Sequence, residues 1–220
     1  MSLWQSSSGK LVAITWSVMI LAGITSAQGH GCDTPVSERK SEFGCYTTAN
    51  TVLGAMPQGP VFWHLYNYPT RAVAEAAKGP RGTAVETFGK VWLYTIEEEG
   101  WHPSGGERVA VIGPLPITSG KQYTAKYMEA VFMPGREGVP HRHSGPEAWY
   151  VLAGAQCLET PEGTMVKHAG ESGIVPEGPP MNIKAIGTEI RRAVFVVLHD
   201  TTHPWMTMAS DWKPKGLCPK

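Results

Sequence analysis

The most constraining stretch of this chain is GREGVPHRHSGPEAWYVLAG, from Gly135 to Gly154. His141 and His143 alternate, and strand side chains repeat every two residues, so both imidazoles fall on one face of a β-strand. Ser144-Gly145-Pro146 follows as turn chemistry, because glycine tolerates backbone conformations closed to other residues and proline fixes its own φ. The chain can then reverse into a second strand opened by Glu147. With Trp149 and Val151 on the same parity, Glu147 points to the side of the two rings, and two nitrogens and one carboxylate converge. Such a set suits a divalent transition metal.

The spacing is Gly135, five residues, His141, one residue, His143, three residues, Glu147, six residues, Gly154. It resembles the first signature motif of the cupins at every defining position. The resemblance implies an all-β fold, an antiparallel jelly-roll barrel with a metal ion held inside by this motif and by a histidine from a second one. Gly170, five residues, Pro176, one residue, Gly178 fits the first half of that second motif, but Met181 stands where the family places its fourth ligand. A thioether is a soft ligand that favours Cu(I), so Met181 is either a fourth ligand to copper or, the preferred reading, a residue lining the pocket. Three ligands, His141, His143 and Glu147, would leave coordination positions open to a substrate. The cofactor expected is one divalent transition metal ion among Fe, Mn, Zn, Ni and Cu.

Charge excludes some partners. Lys and Arg together number 19, as do Asp and Glu, and no basic run occurs, so neither nucleic acid nor an anionic membrane surface is indicated. The N-terminus reads as an export signal, with Lys10, an apolar run from Leu11 to about Thr25, and small residues before an expected cleavage after Ala27. A secreted or periplasmic protein with no stable membrane partner after cleavage is therefore expected. Cys32, Cys45, Cys157 and Cys218 all lie beyond that point, where disulfides are permitted. Cys32 with Cys45 is the preferred bridge, while Cys157 is either a buried free thiol or the partner of Cys218.

In chain order, residues 1–27 read as the signal, 28–60 as an irregular arm with a short helix near Pro35 to Glu42, and 61–220 as the barrel with extra N-terminal strands. The metal motifs lie within 135–186. VFWHLYNY from Val61 to Tyr68 reads as a strand, and TRAVAEAAK, capped by Thr70, as one short helix. Strands follow at 83–88, 90–96 and 108–112, and Glu97 to Glu99 read as a solvated turn. Tyr123 to Met133 is a long strand in which Glu129 is expected to face solvent. RRAVFVVLHD, from Arg191 to Asp200, is apolar on both faces and marks a fully buried strand.

Trp149, Val151 and Ile183 are candidate pocket residues, and His199, on the parity of Phe195 and Val197, is either a rim histidine or a replacement ligand. A metal with two neutral imidazoles and one carboxylate keeps positive charge, so it can bind and polarise an anionic or oxygen-bearing small molecule. The resemblance implies a metal-dependent enzyme, with dioxygenase-like oxidation preferred, or a non-catalytic cupin that captures a metal or small ligand. It also implies pairing into a homodimer.

Overall fold

The computed structural model describes Met1 and residues 32–219, so the expected export signal lies outside the described residues. A short 3-10 turn at Val36–Glu38 leads into β1 (Gly44–Val52), β2 (Val61–Tyr68), helix α1 (Arg71–Ala77), β3 (Gly82–Thr87), β4 (Lys90–Glu98) and β5 (Glu107–Ile112). Then come β6 (Tyr123–Phe132), β7 (His141–His143), β8 (Glu147–Ala153), β9 (Ala155–Thr160), β10 (Gly163–His168), β11 (Ser172–Val175), β12 (Asn182–Ile186), β13 (Arg191–Asp200) and β14 (Met206–Met208). The fold is all-β and its ladders are antiparallel.

The strands form three layers. A central sheet has the order β1-β6-β13-β8-β11. On one side lie β10-β9-β12 and the pair β14-β7, which with the central sheet enclose Met128, Trp149, Val151, Leu158, Val175, Met181, Phe195 and Val197. This is the barrel interior. On the other side a sheet of order β3-β4-β2-β5 covers the central sheet through Trp63, Leu65, Trp92, Tyr94 and Ile96, packed on Tyr123, Tyr127, Val194 and Val196. Strands β2 to β5 thus form an extra sheet packed on the outer face of the central one, while β1 is an edge strand of the central sheet.

Sequence period explains this arrangement. Along β13, Phe195 and Val197 enter the barrel while Val194, Val196 and Leu198 enter the outer core, which is why the strand reads apolar on both faces. Tyr150 and Leu152 on β8 likewise pack against the outer core. Helix α1 forms as its sequence requires: Thr70 accepts a hydrogen bond from the Val73 N–H at 3.3 Å, and the helix closes before Gly79-Pro80. Phe88 and Gly89, both at positive φ, make the two-residue hairpin between β3 and β4.

Several expectations are corrected. The arm expected to be irregular over 28–60 contains β1, a nine-residue strand paired with β6 from Gly44↔Val131 to Val52↔Thr124. Its threonines and Asn50 suit an edge strand but give no apolar alternation. The helix expected near Pro35 to Glu42 is only the 3-10 turn. Glu97 and Glu98 belong to β4, and Glu97 is buried in an ion pair with Arg81 because it sits under the Arg81 loop. Glu129 does not face solvent. It is 1% exposed between the two sheets, where Arg39 pairs with it and the Thr87 hydroxyl donates to it.

Both ends of the described chain are stapled to the barrel, through Cys32–Cys45 and Cys157–Cys218. The second anchors a tail whose Lys215 and Leu217 N–H groups donate to the buried Glu159 carboxylate. Removing a 61-residue cross-link with Cys157→Ala/Cys218→Ala is expected to lower stability by about 2–4 kcal/mol, read as a lower urea midpoint for the double variant. An unchanged midpoint would show that the tail is held by Glu159 alone.

Candidate metal centre

The site is assembled by three short pairings. β7 pairs with β14, setting His143 opposite Met206 and His141 opposite Met208. On its other edge His141 exchanges both backbone hydrogen bonds with Met181, at 2.9 and 3.1 Å. β8 brings Glu147 in from beside β13, where it faces Val197. The Ser144-Gly145-Pro146 connection lies flat on β13, with Leu198 N–H donating to the Pro146 carbonyl at 2.9 Å and Asp200 N–H to that of Ser144 at 3.1 Å. Gly145 has no positive φ; it is needed for close approach, since a Cβ there would stand 1.7 Å from the Leu198 carbonyl oxygen.

The ligand atoms converge. One atom from each of His141, His143 and Glu147 lies within 4.8 Å of the others. The two Nε2 atoms are 3.1 Å apart, and His143 Nε2 is 3.4 Å from Glu147 Oε2. Ligands held about 2.0–2.2 Å from a common ion at right angles or tetrahedrally stand about 2.8–3.6 Å from one another, so these two edges fit a shared ion. Each ring is oriented by its other nitrogen: His141 Nδ1 lies 2.7 Å from the Val139 carbonyl and His143 Nδ1 2.9 Å from that of Trp205. Carbonyls can only accept, so both Nδ1 atoms carry the proton and both Nε2 lone pairs face the cluster.

The electrostatics favour the ligand form. Burial lowers the His141 pKa, the neighbouring His143 lowers it further, and Glu147 opposes the shift, so the His141 ring is neutral at neutral pH. His143 and Glu147 are buried while His141 is partly exposed, which opens the site on the His141 side. Behind His143 the Trp205 ring stacks at 5.4 Å, and Lys126 lies 4.6 Å over that indole. Asp33 accepts from both Trp205 Nε1 and Lys126 Nζ, at 2.8 and 3.0 Å.

The expected pocket residues fall into two groups. Met181, Trp149 and Val151 are fully buried in the barrel core, and Ile183 packs against that core. Trp149 lies over Gly173 on β11, where a Cβ would meet its ring at 2.2 Å. His199 is brought to the end of β13, half-buried with Nδ1 3.0 Å from the Asp200 carbonyl, and is outside the ligand cluster. Sequence reasoning missed Lys126, Trp205 and Asp33. Parity along β6 places Lys126 on the side of Met128 and Ala130, a signal present in the sequence; nothing local marks Trp205 or Asp33 as neighbours of His143.

Residues 128–198 match the family described as the cupin domain. Over this segment, about a third of the chain, the sequence is similar to a cupin domain. The segment takes in β7 to β12, the ligand cluster and most of the central sheet. Among solved structures, a cupin domain from Bordetella pertussis Tohama I is 29% identical over 38% of this chain and 88% of its own, with a TM-score of 0.30. A cupin-like protein from Thermotoga maritima MSB8 is 16% identical over 38% of this chain and 63% of its own, with a TM-score of 0.36. An oxalate oxidase in complex with the substrate analogue glycolate is 19% identical over 39% of this chain, with a TM-score of 0.34; the chain spans 46% of its length. No curated protein matches this chain.

The Gly145→Ala variant is expected to lose at least about 2 kcal/mol of stability, because the methyl group meets backbone rather than a movable side chain. Chemical denaturation measures this, and a native-like midpoint would show that the connection can lift from β13.

Proposed function

We propose that this chain is an exported metalloprotein that holds one divalent transition metal ion through His141, His143 and Glu147 and acts on a small organic molecule at that ion. The observation that carries the reading is the cluster itself: two imidazole Nε2 atoms and a carboxylate within 4.8 Å, with both rings oriented by backbone carbonyls. Preorganised neutral imidazoles need neither rotation nor deprotonation on binding a cation. With three protein ligands, further positions stay open to an oxygen-bearing ligand, as in catalytic zinc and non-haem iron sites. When bound, such a metal supplies Lewis-acid polarisation or, if redox-active, oxygen chemistry; dioxygenase-like oxidation is the reaction class proposed.

The residues around the cluster have separable tasks in this reading. Val139 and Trp205 hold the rings through their carbonyls. Glu147 supplies negative charge, and among the described residues the cluster holds no second carboxylate to act as a general base. Met181, fixed opposite His141, and Trp149 keep the inner side of the site apolar and exclude water. The two disulfides agree with an oxidising compartment and so with export. A homodimer is part of the proposal as well.

Elemental analysis of protein purified without a metal-affinity tag is expected to give close to one metal per chain, and close to none for His141→Ala/His143→Ala. Equal metal in both proteins, or none in either after incubation with Fe, Mn, Zn, Ni and Cu, would refute the site. Oxygen consumption with a panel of small organic acids and phenols then distinguishes oxidation from ligand capture without turnover.

A further inference from the structure

Arg191 opens β13 on the side of Ala193, Phe195 and Val197, so its side chain runs inside the barrel rather than out to solvent. It is 0% exposed. The guanidinium carbon lies 4.3 Å from the Phe132 ring centroid and 5.3 Å from that of Phe195. Nη1 donates to Gln156 Oε1 at 3.1 Å. Nε and Nη2, and Gln156 Nε2 beside them, find no partner among the described residues. Nε and Nη2 form one edge of the planar guanidinium, and their parallel N–H bonds match the two oxygens of a carboxylate.

Burial draws the Arg191 pKa down to about 9, against the charge of Glu147, so the group remains cationic at neutral pH. A buried cation with an unsatisfied bidentate edge is costly unless something pairs with it. Glu147, already turned toward His143, makes no hydrogen bond to it among the described residues. With a divalent ion at the cluster, the ion, Arg191 and Glu147 together would carry a charge of about plus two inside apolar walls.

We propose that Arg191, positioned by Gln156, anchors the carboxylate of a small organic acid inside the barrel, through the Nε and Nη2 edge. The proposal rests on reading the barrel as a small-molecule site and narrows its ligand class to carboxylates. Phe132 and Phe195 flank the guanidinium and give the anchored group an apolar, planar surround, so discrimination should fall on charge and flatness rather than on further hydrogen bonds.

The test uses malonate, with the neutral diamide malonamide as control, in calorimetric titration and thermal shift of the full mature protein, both metal-loaded and metal-stripped. Malonate is expected to bind the native protein in both forms, with malonamide at least tenfold weaker. Arg191→Met should weaken malonate at least tenfold while keeping native metal content, and should melt no lower than the native protein because an unpaired buried charge has been replaced by an apolar side chain. Arg191→Lys should not restore affinity, since an ammonium has no bidentate edge. Equal malonate affinity in Arg191→Met, or no preference for malonate over malonamide in the stripped native protein, would overturn the proposal. The second comparison needs no variant and decides the matter if Arg191→Met fails to fold. A protein that takes up no metal yet binds malonate through Arg191 would instead overturn the metal reading and leave this one standing.

Discussion

Strand β13 is covered on both faces and paired on both edges, and the rest of the molecule depends on that double burial. Its ladder to β6 runs the full ten residues, from Arg191↔Phe132 to Asp200↔Tyr123, and its ladder to β8 runs from Ala153 to Glu147. A strand in that position cannot slip by one residue without exchanging the barrel core for the outer core. Since Phe195 meets Trp149 and Val197 meets Glu147, the height of Glu147 in the barrel is fixed by strand packing. Fully burying large apolar side chains contributes about 1.5–3 kcal/mol each, well above the few tenths gained at an exposed ion pair, so the cores set the register and the polar contacts refine it.

The histidines are fixed differently. β7 is only three residues long and has little core of its own, so its position comes from neighbours on both edges, Met181 on one and β14 on the other. β14 is in turn held by Trp205, which is bonded to Asp33 and stacked on His143, and Asp33 is next to the Cys32–Cys45 staple. Two distant chain segments therefore meet at the back of one ligand ring. This explains why stapled ends are useful to a barrel whose ligand strand is short: fraying of either end would release the carbonyl that sets the His143 tautomer.

Much of this was legible in the sequence because it depends on period and local chemistry. The parity of His141, His143, Glu147, Trp149 and Val151 gave the convergence, the both-faces pattern of RRAVFVVLHD gave the central strand, and the capping threonine gave the helix. What was not legible depends on three-dimensional neighbours. β1 carries threonines and no apolar alternation, and its strand state comes from pairing with β6. Glu129 and Glu97 look solvated in sequence, and only the second sheet, with Arg39 and Arg81, makes them buried partners. Arg191 shares parity with Phe195 and Val197, but a basic residue opening a strand reads as its solvated end, and here it is fully buried against Phe132 and Phe195.

Met181 shows how a departure from a pattern acquires physical meaning. Its two backbone hydrogen bonds with His141 put the thioether on the ligand face, so the position remains part of the site even though its chemistry differs from imidazole. A fully buried methionine there withdraws a hard donor and a polar group together, leaving His141, His143 and Glu147 against a wall of Met181, Trp149 and Val151. In such surroundings charges interact more strongly than in water, and any buried ion must be balanced inside the barrel. The barrel is therefore polar at the partly exposed His141, apolar at Met181, Trp149 and Val151, and cationic at the buried Arg191.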